Sequence, residues 1–409
     1  MFQRKLMGAV ATAAIVAAAC SGSTPTAAPA TAGPTTGTPT TAAPATPAPT
    51  AAAIGPGEGA LNLIIWAGYA ERGAVDKAYD WVTPFETKTG CKVNTIDMTD
   101  SSNGVELMSS GQYDGGSFSG NATDRLMASG LVAPIDTSIF TNYANVFEGL
   151  KNKPHNSKDG VNYGVPHGRG PNLLAYNTDV ITTAPTSWDP IWEGGADYKG
   201  KISIYAYSDF IADAALHLMV KRPDLGIKNP YQLNDTQFTA AIDLLKALDA
   251  NDPLYWGVYT DQMQSFGSGE TVIGTTWQFQ VNLLQAEGRK VSAVLPAEGS
   301  TGWSDTWMMY FNAAHPNCMK MWMDHMMSPE ANGQATVWFG EAPTSDAACA
   351  YAETLSKGHC DLTHAKDEAY YEKIWYWATP RQDCADTDNA TICKDQADWA
   401  EAWTTITGS

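Results

Sequence analysis

The sequence predicts an α/β body in two lobes, and three observations carry that prediction. Strand-like and helix-like segments alternate from Leu61 to Ile406, the pattern of α/β layers around a largely parallel sheet. The stretch from Leu61 onward is about 350 residues, too long for one ordinary core. Two extended runs, "VNYGVPHGRGPNLLAYNTDVI" and "WSDTWMMYFNAAHP", stand about 130 residues apart, as two crossings between lobes would.

The first residues, "MFQRKLMGAVATAAIVAAAC", have Arg4 and Lys5 before an apolar run and small residues before Cys20. That is the make-up of an export signal. The Ala-Ala-Ala-Cys ending resembles a bacterial lipobox, which implies that Cys20 is lipidated. From Ser21 to about Gly57 the chain is almost entirely Thr, Pro, Ala and Gly. Such a segment cannot bury a core and serves as an extended spacer. The expected organisation is a signal over 1–20, a stalk over 21–57, the first part of lobe 1 over 58–168, and lobe 2 over 169–302. Residues 303–409 then return to lobe 1 and supply the C-terminal helices.

Within the body, "ALNLIIW" reads as a strand. "AVDKAYDWVTPFETKTG" reads as a helix, with apolar positions at Val75, Ala78, Val82 and Phe85 and a stop at Gly90. "CKVNTIDM" is the next strand, and "NATDRLMASGLVAPID" a helix ending at Gly130. "TQFTAAIDLLKALDA" has strong helical periodicity, with an Asp235-Thr236 cap. "SFGSGETVIGTTWQFQVNLLQAEGRKVSAVLP" reads helix end, strand, helix, strand. Three helical segments close the chain, "NCMKMWMDHMMSPEANGQATVWFG", "DEAYYEKIWYW" and "KDQADWAEAWTTIT".

Acidic residues outnumber basic ones 44 to 25, for a formal net charge of −19. That balance disfavours nucleic acid as a partner, which needs basic surface. It suits a cationic ligand or plain solubility. Of 7 Cys, six remain beyond Cys20, an even number that in an exported protein points to disulfides. Local spacing favours Cys349 with Cys360 and Cys384 with Cys393, leaving Cys91 with Cys318, among fifteen formal pairings. No Cys-x-x-Cys occurs, and no metal or other cofactor is expected.

Several stretches, in order, resemble the substrate-binding proteins of bacterial ABC importers, within them the spermidine/putrescine-binding branch. They are Trp66-x-x-Tyr69 on the first strand, "YDGGSFSGNATDRLMASGLVAPID", "YGVPHGRGPNLLAYNTDVI", "TSWDPIWEGGADYKGKISI", and "GETVIGTTWQFQVNLLQAEGRKVSAVLPAEGSTGWSDTW". The resemblance covers nearly the whole body. It implies a type II periplasmic-binding-protein fold with a ligand cleft between lobes, a permease as partner, and a monomer lipid-anchored at the outer face of the cytoplasmic membrane. It implies no chemistry. The resemblance puts Trp66, Tyr69, Trp277, Trp303 and Asp305 in the cleft, with Asp305 binding an ammonium. Aromatic faces and carboxylates are what a flexible polyamine needs.

Four positions depart from the family pattern. Asp209 in "YAYSDFIAD" is offset from an acidic pair. Asn121 lies where a turn tyrosine is expected. Glu341 stands near an expected aromatic. Arg169 puts a guanidinium in a crossover strand, where it would either pair with a lobe carboxylate such as Asp305 or bind the acidic group of a zwitterion. The ligand is thus expected to be a polyamine, with an amino-acid-like or quaternary-amine zwitterion as the alternative. An enzyme is disfavoured, because Gly-x-Ser-x-Gly and His-Glu-x-x-His are both missing. Ferric binding through Tyr370-Tyr371 and a surface-adhesion role are the remaining rivals.

Overall fold

The computed structural model describes residues 53–384 and 392–408, apart from the side chains at 195 and 196. The signal segment, Cys20 and the stalk up to residue 52 lie outside the described residues.

Lobe 1 begins with β1 (Ala60–Ile65), α1 (Val82–Thr89), β2 (Lys92–Asp97), α2 (Ser101–Ser109), β3 (Gly115–Phe118) and α3 (Gly120–Ala128). A short hairpin, β4 (Ser157–Lys158) and β5 (Val161–Asn162), leads into β6 (Gly164–Pro171). One residue later the chain is in the second sheet as β7 (Leu173–Asn177). Lobe 2 continues with α4 (Asp189–Trp192), β8 (Ile202–Tyr205), α5 (Phe210–Lys221), α6 (Asp235–Asp249), β9 (Leu254–Trp256), α7 (Tyr259–Ser268), β10 (Ile273–Thr276), α8 (Gln278–Ala286) and β11 (Val291–Val294). The second crossing enters β12 (Ser300–Met309). After it come α9 (Pro316–Met326), α10 (Pro329–Phe339), α11 (Asp346–Leu355), α12 (His359–Leu362), α13 (Glu368–Tyr371), β13 (Ile374–Tyr376) and α14 (Gln396–Thr407).

The first sheet runs β13-β12-β3-β1-β2, with β6 also on β12; the second runs β11-β7-β10-β8-β9. Each sheet is mixed rather than largely parallel. The strands adjoining the crossings break the parallel order: β12 is antiparallel to β3 and β6, and β7 is antiparallel to β10 and β11. Leu61, Leu63 and Ile65 of β1 pack in one core cluster and Ile64 in another, so this strand is covered on both faces. The last helix, α14, docks on lobe 2, where Trp399 and Trp403 join the core around Ile204, Phe210 and Trp256.

Three further sequence expectations need correction. The helix expected from Val75 forms only from Val82; Val75 is exposed, and Trp81 occupies the N-cap position. Gly73, at φ 68°, turns the preceding segment, and Asp76 and Asp80 hold it by bonding to Ala78 N and Thr83 N. Helix α6 is capped by Asn234 rather than Asp235, in a reciprocal pairing with Gln237. "DEAYYEKIWYW" is one helical turn followed by β13, because Ile374–Tyr376 pair with the start of β12. Disulfides join Cys91–Cys318, Cys349–Cys360 and Cys384–Cys393, the expected pairing. No helix among the described residues is long and apolar enough to cross a membrane.

Candidate functional site

Strand β12 runs from one lobe to the other, and side chains two apart share a face. Thr301, Trp303 and Asp305 therefore line one face, all buried. At the lobe 2 end, the Thr301 hydroxyl donates to Asp213 Oδ1 at 2.7 Å. At the lobe 1 end, Asp305 accepts from the Tyr69 hydroxyl at 2.8 Å and the Ser119 hydroxyl at 2.6 Å. The paired strand β6 makes room with glycines. A Cβ at Gly170 would lie 2.7 Å from the Trp303 ring, and one at Gly168 would lie 2.4 Å from Glu341 Oε2.

The ladder between β6 and β12 slips at Asp305/Thr306, leaving His167 as the extra residue. Bulges re-aim side chains in this way. His167 is fully buried and stacks on Tyr69, with ring centroids 4.3 Å apart. Its Nδ1 accepts from Trp307 Nε1 at 2.9 Å, and its Nε2 faces Glu341 Oε1 at 3.1 Å. Because an indole N–H only donates, the neutral ring carries its proton on Nε2, toward Glu341. Glu341 follows Gly340, the left-handed residue that ends α10, and is fully buried.

Across the cleft, Asp209 and Asp213 lie one helical turn apart at the start of α5. Asp209 accepts from Asn121 Nδ2 at 3.1 and 3.2 Å, a bond that joins the lobes. Asp213 accepts from the Tyr205 hydroxyl as well as from Thr301. Burial pushes Asp209 up to about 6 against the Asn121 bond. Burial likewise pushes Asp213 up to about 7, against the Tyr205 and Thr301 bonds, with the Asp209 charge adding to the rise. Asp305 and Glu341 are raised for the same first reason, and the Asp305 charge raises Glu341 further. Among the described residues none of these four carboxylates is ion-paired to a lysine or arginine; His167 beside Glu341 is the one basic partner.

Of the expected aromatics, Trp66 is half-buried after β1 and Trp303 is buried. Trp277 caps α8, meets Trp256 edge-on at 5.1 Å and donates to Asn172 Oδ1 at 2.9 Å. Phe279 of lobe 2 meets Phe339 of lobe 1 with ring centroids 5.9 Å apart, so the lobes touch here too. A cavity of about 740 Å³ on lobe 2, lined by Tyr259, Met263, Leu283 and Arg289 among others, includes none of these carboxylates.

Arg169 does not pair with Asp305. Its partner is Glu368, at 2.8 Å, and its guanidinium lies 3.6 Å from the centroid of the Tyr371 ring. The reason is pleat. Arg169 is opposite Ser304 in the ladder and Asp305 is opposite Gly168, so the two charges emerge on opposite faces. Tyr371 is buried there and its hydroxyl donates to Thr363 O at 2.7 Å, which occupies the residue invoked for iron.

Sequence reasoning passed over His167, Ser119, Asp213 and Thr301. His167 was readable as the neighbour of two glycines in "VPHGRGP", and Asp213 as the i+4 mate of Asp209.

The sequence profile described as "Bacterial extracellular solute-binding protein" matches residues 80–358. The chain is 24% identical over 299 residues to the spermidine/putrescine-binding periplasmic protein of Escherichia coli, covering 69% of this chain and 81% of that one. It is 23% identical over 292 residues to the putrescine/agmatine-binding protein of Pseudomonas aeruginosa, covering 67% and 78%. Among solved structures, the substrate-binding protein of a spermidine/putrescine ABC transporter from Streptococcus pneumoniae superposes with a TM-score of 0.65 at 16% identity, covering 85% of this chain and 97% of that one. The architecture is the two-lobed type II periplasmic-binding-protein fold.

Proposed function

The chain belongs to the bacterial extracellular solute-binding proteins, and on that premise we propose that it captures a polyamine of the putrescine or spermidine class between its lobes. One observation carries the reading: Asp209, Asp213, Asp305 and Glu341 are buried without a lysine or arginine partner among the described residues. A buried carboxylate is costly until a cation joins it. A ligand bearing an ammonium at each end supplies that partner to both pairs. Thr301, bonded to Asp213, and Asp305 are four residues apart on one strand, roughly 13 Å at strand rise, a span that suits spermidine better than the shorter putrescine. Trp66, Tyr69, Trp277 and Trp303 offer faces for the methylenes and ammonium groups.

Binding shifts an open–closed equilibrium through the two crossings, and the Asn121–Asp209 bond is one closure contact. The closed form delivers its cargo to an ABC permease, held at the membrane by lipid on Cys20 as a monomer. The names of the curated relatives favour this ligand class. The zwitterion alternative needs a free guanidinium, and Arg169 is engaged by Glu368.

Calorimetric titration with putrescine and spermidine, then γ-aminobutyrate and glycine betaine, tests the reading. Micromolar or tighter polyamine binding, lost in Asp305→Ala, supports it. A zwitterion bound in preference, and lost in Arg169→Ala, overturns the ligand while leaving the importer role.

A further inference from the structure

We propose that Asp189, Glu193 and His217 form a site for a divalent transition metal of the zinc class, where α4 meets α5 in lobe 2. The single turn of α4 sets Asp189 and Glu193 four residues apart, on one helical face. His217 projects from α5 against them. One ligand atom from each lies within 4.8 Å of the other two. Donors on one tetrahedral ion with bonds of about 2 Å stand about 3.4 Å apart, so the set has to close slightly to hold it.

The imidazole is the telling group. His217 is 2% exposed, its Nδ1 has no hydrogen-bond partner, and its Nε2 faces Glu193 Oε1 at 3.4 Å. A buried ring so sparsely bonded is uncommon.

A cation already occupies the carboxylate side. Lys221 Nζ lies 2.7 Å from Asp189 Oδ1 and 3.3 Å from Glu193 Oε1. Lys221 is the last residue of α5 and is more than a third exposed, so it can swing into water and yield its place. Two carboxylates and one imidazole, with open positions for water, form a zinc-type donor set. His217 lies far along the chain from Glu193 and no spacing motif joins them, so only the fold brings the set together. Nothing in solute capture uses these residues.

The test is titration of the tag-free protein with zinc chloride, followed by calorimetry and thermal unfolding. The expected result is one zinc per chain and a raised unfolding midpoint. Lys221→Met, which removes the internal competitor, should tighten binding ~10-fold, and His217→Ala should weaken it at least ~10-fold, as loss of metal-site groups does. Glu193→Gln serves if His217→Ala misfolds. Putrescine affinity should be unchanged in all three variants, which separates this site from the cleft. The proposal is overturned if Lys221→Met binds no stoichiometric zinc, or if His217→Ala and Glu193→Gln bind it as tightly as the parent.

Discussion

The two faces of the β6–β12 ladder carry opposite charges with opposite fates. On one face Arg169 has its counter-charge: Glu368 pairs with it and Tyr371 lies under its guanidinium. On the other, Asp305 has only hydroxyl donors, and Glu341 beside it has only His167. The first face is a finished structural contact. The second is a buried anionic surface with no lysine or arginine paired to it among the described residues, and under the proposed function the difference separates a residue that holds the fold from one offered to a ligand.

The largest effect should come from the unfinished face. Asp305→Asn keeps the shape and removes the charge, and should lower polyamine affinity at least ~100-fold, about 3 kcal/mol, by titration calorimetry. Retained affinity would break the comparison at its centre. The matched face should respond in stability instead. Arg169→Met should cost about 2–3 kcal/mol in denaturant unfolding, through the lost ring contact and ion pair. Its putrescine affinity should change less than ~3-fold. An affinity loss like that of Asp305→Asn would return Arg169 to the ligand.

How much of this was legible follows from what each signal encodes. Alternation and run length report on local structure and on which side of a strand is buried, so β12, α6, α8 and the two crossings were readable. Tyr69 and Asp305 are hydrogen-bonded, a proximity in keeping with the family resemblance, which puts both in the cleft with Trp303. The position of Arg169 was not, because a charge and its opposite-face neighbour look adjacent in sequence, and only the register against β12 separates them. His167 owes its aim to a bulge, which no periodicity announces. The turn at Gly73 and the strand β13 were hidden by helical-looking residues whose fate is set by tertiary pairing.

The cleft carboxylates and Arg169 should also differ with pH. Asp209 and Asp213 are raised to about 6 and about 7 by burial, well above the unfolded value of 3.8. A carboxylate raised in the folded state adds stability that is full below its unfolded pKa and is lost as pH rises through the folded one. The ligand-free protein should therefore gain stability from these groups as pH falls from 7 to 4. Polyamine affinity should fall over the same range, because the ammonium prefers the charged carboxylates, and binding near neutral pH should release protons. Calorimetry in buffers of different ionisation enthalpy reads that release directly. Arg169 keeps its charge throughout this range, so Arg169→Met should leave the proton release intact. Release unchanged in Asp213→Asn would detach the linkage from this pair.

The smallest effect tests whether closure is separable from recognition. Asn121 of α3 donates to both oxygens of Asp209 across the cleft, and has no hydrogen bond to Asp213, Asp305 or Glu341 in the described residues. Asn121→Ala removes a bond between lobes and leaves every anion in place. One such bond contributes about 1 kcal/mol net, so affinity should fall roughly 5-fold. The loss should fall mainly on the dissociation rate, since the open form still meets the ligand with its full charge. Stopped-flow measurement of both rates decides the matter. A slowed association rate would mean that Asn121 helps gather the ligand, and the bridge would then belong to the unfinished face rather than to the hinge.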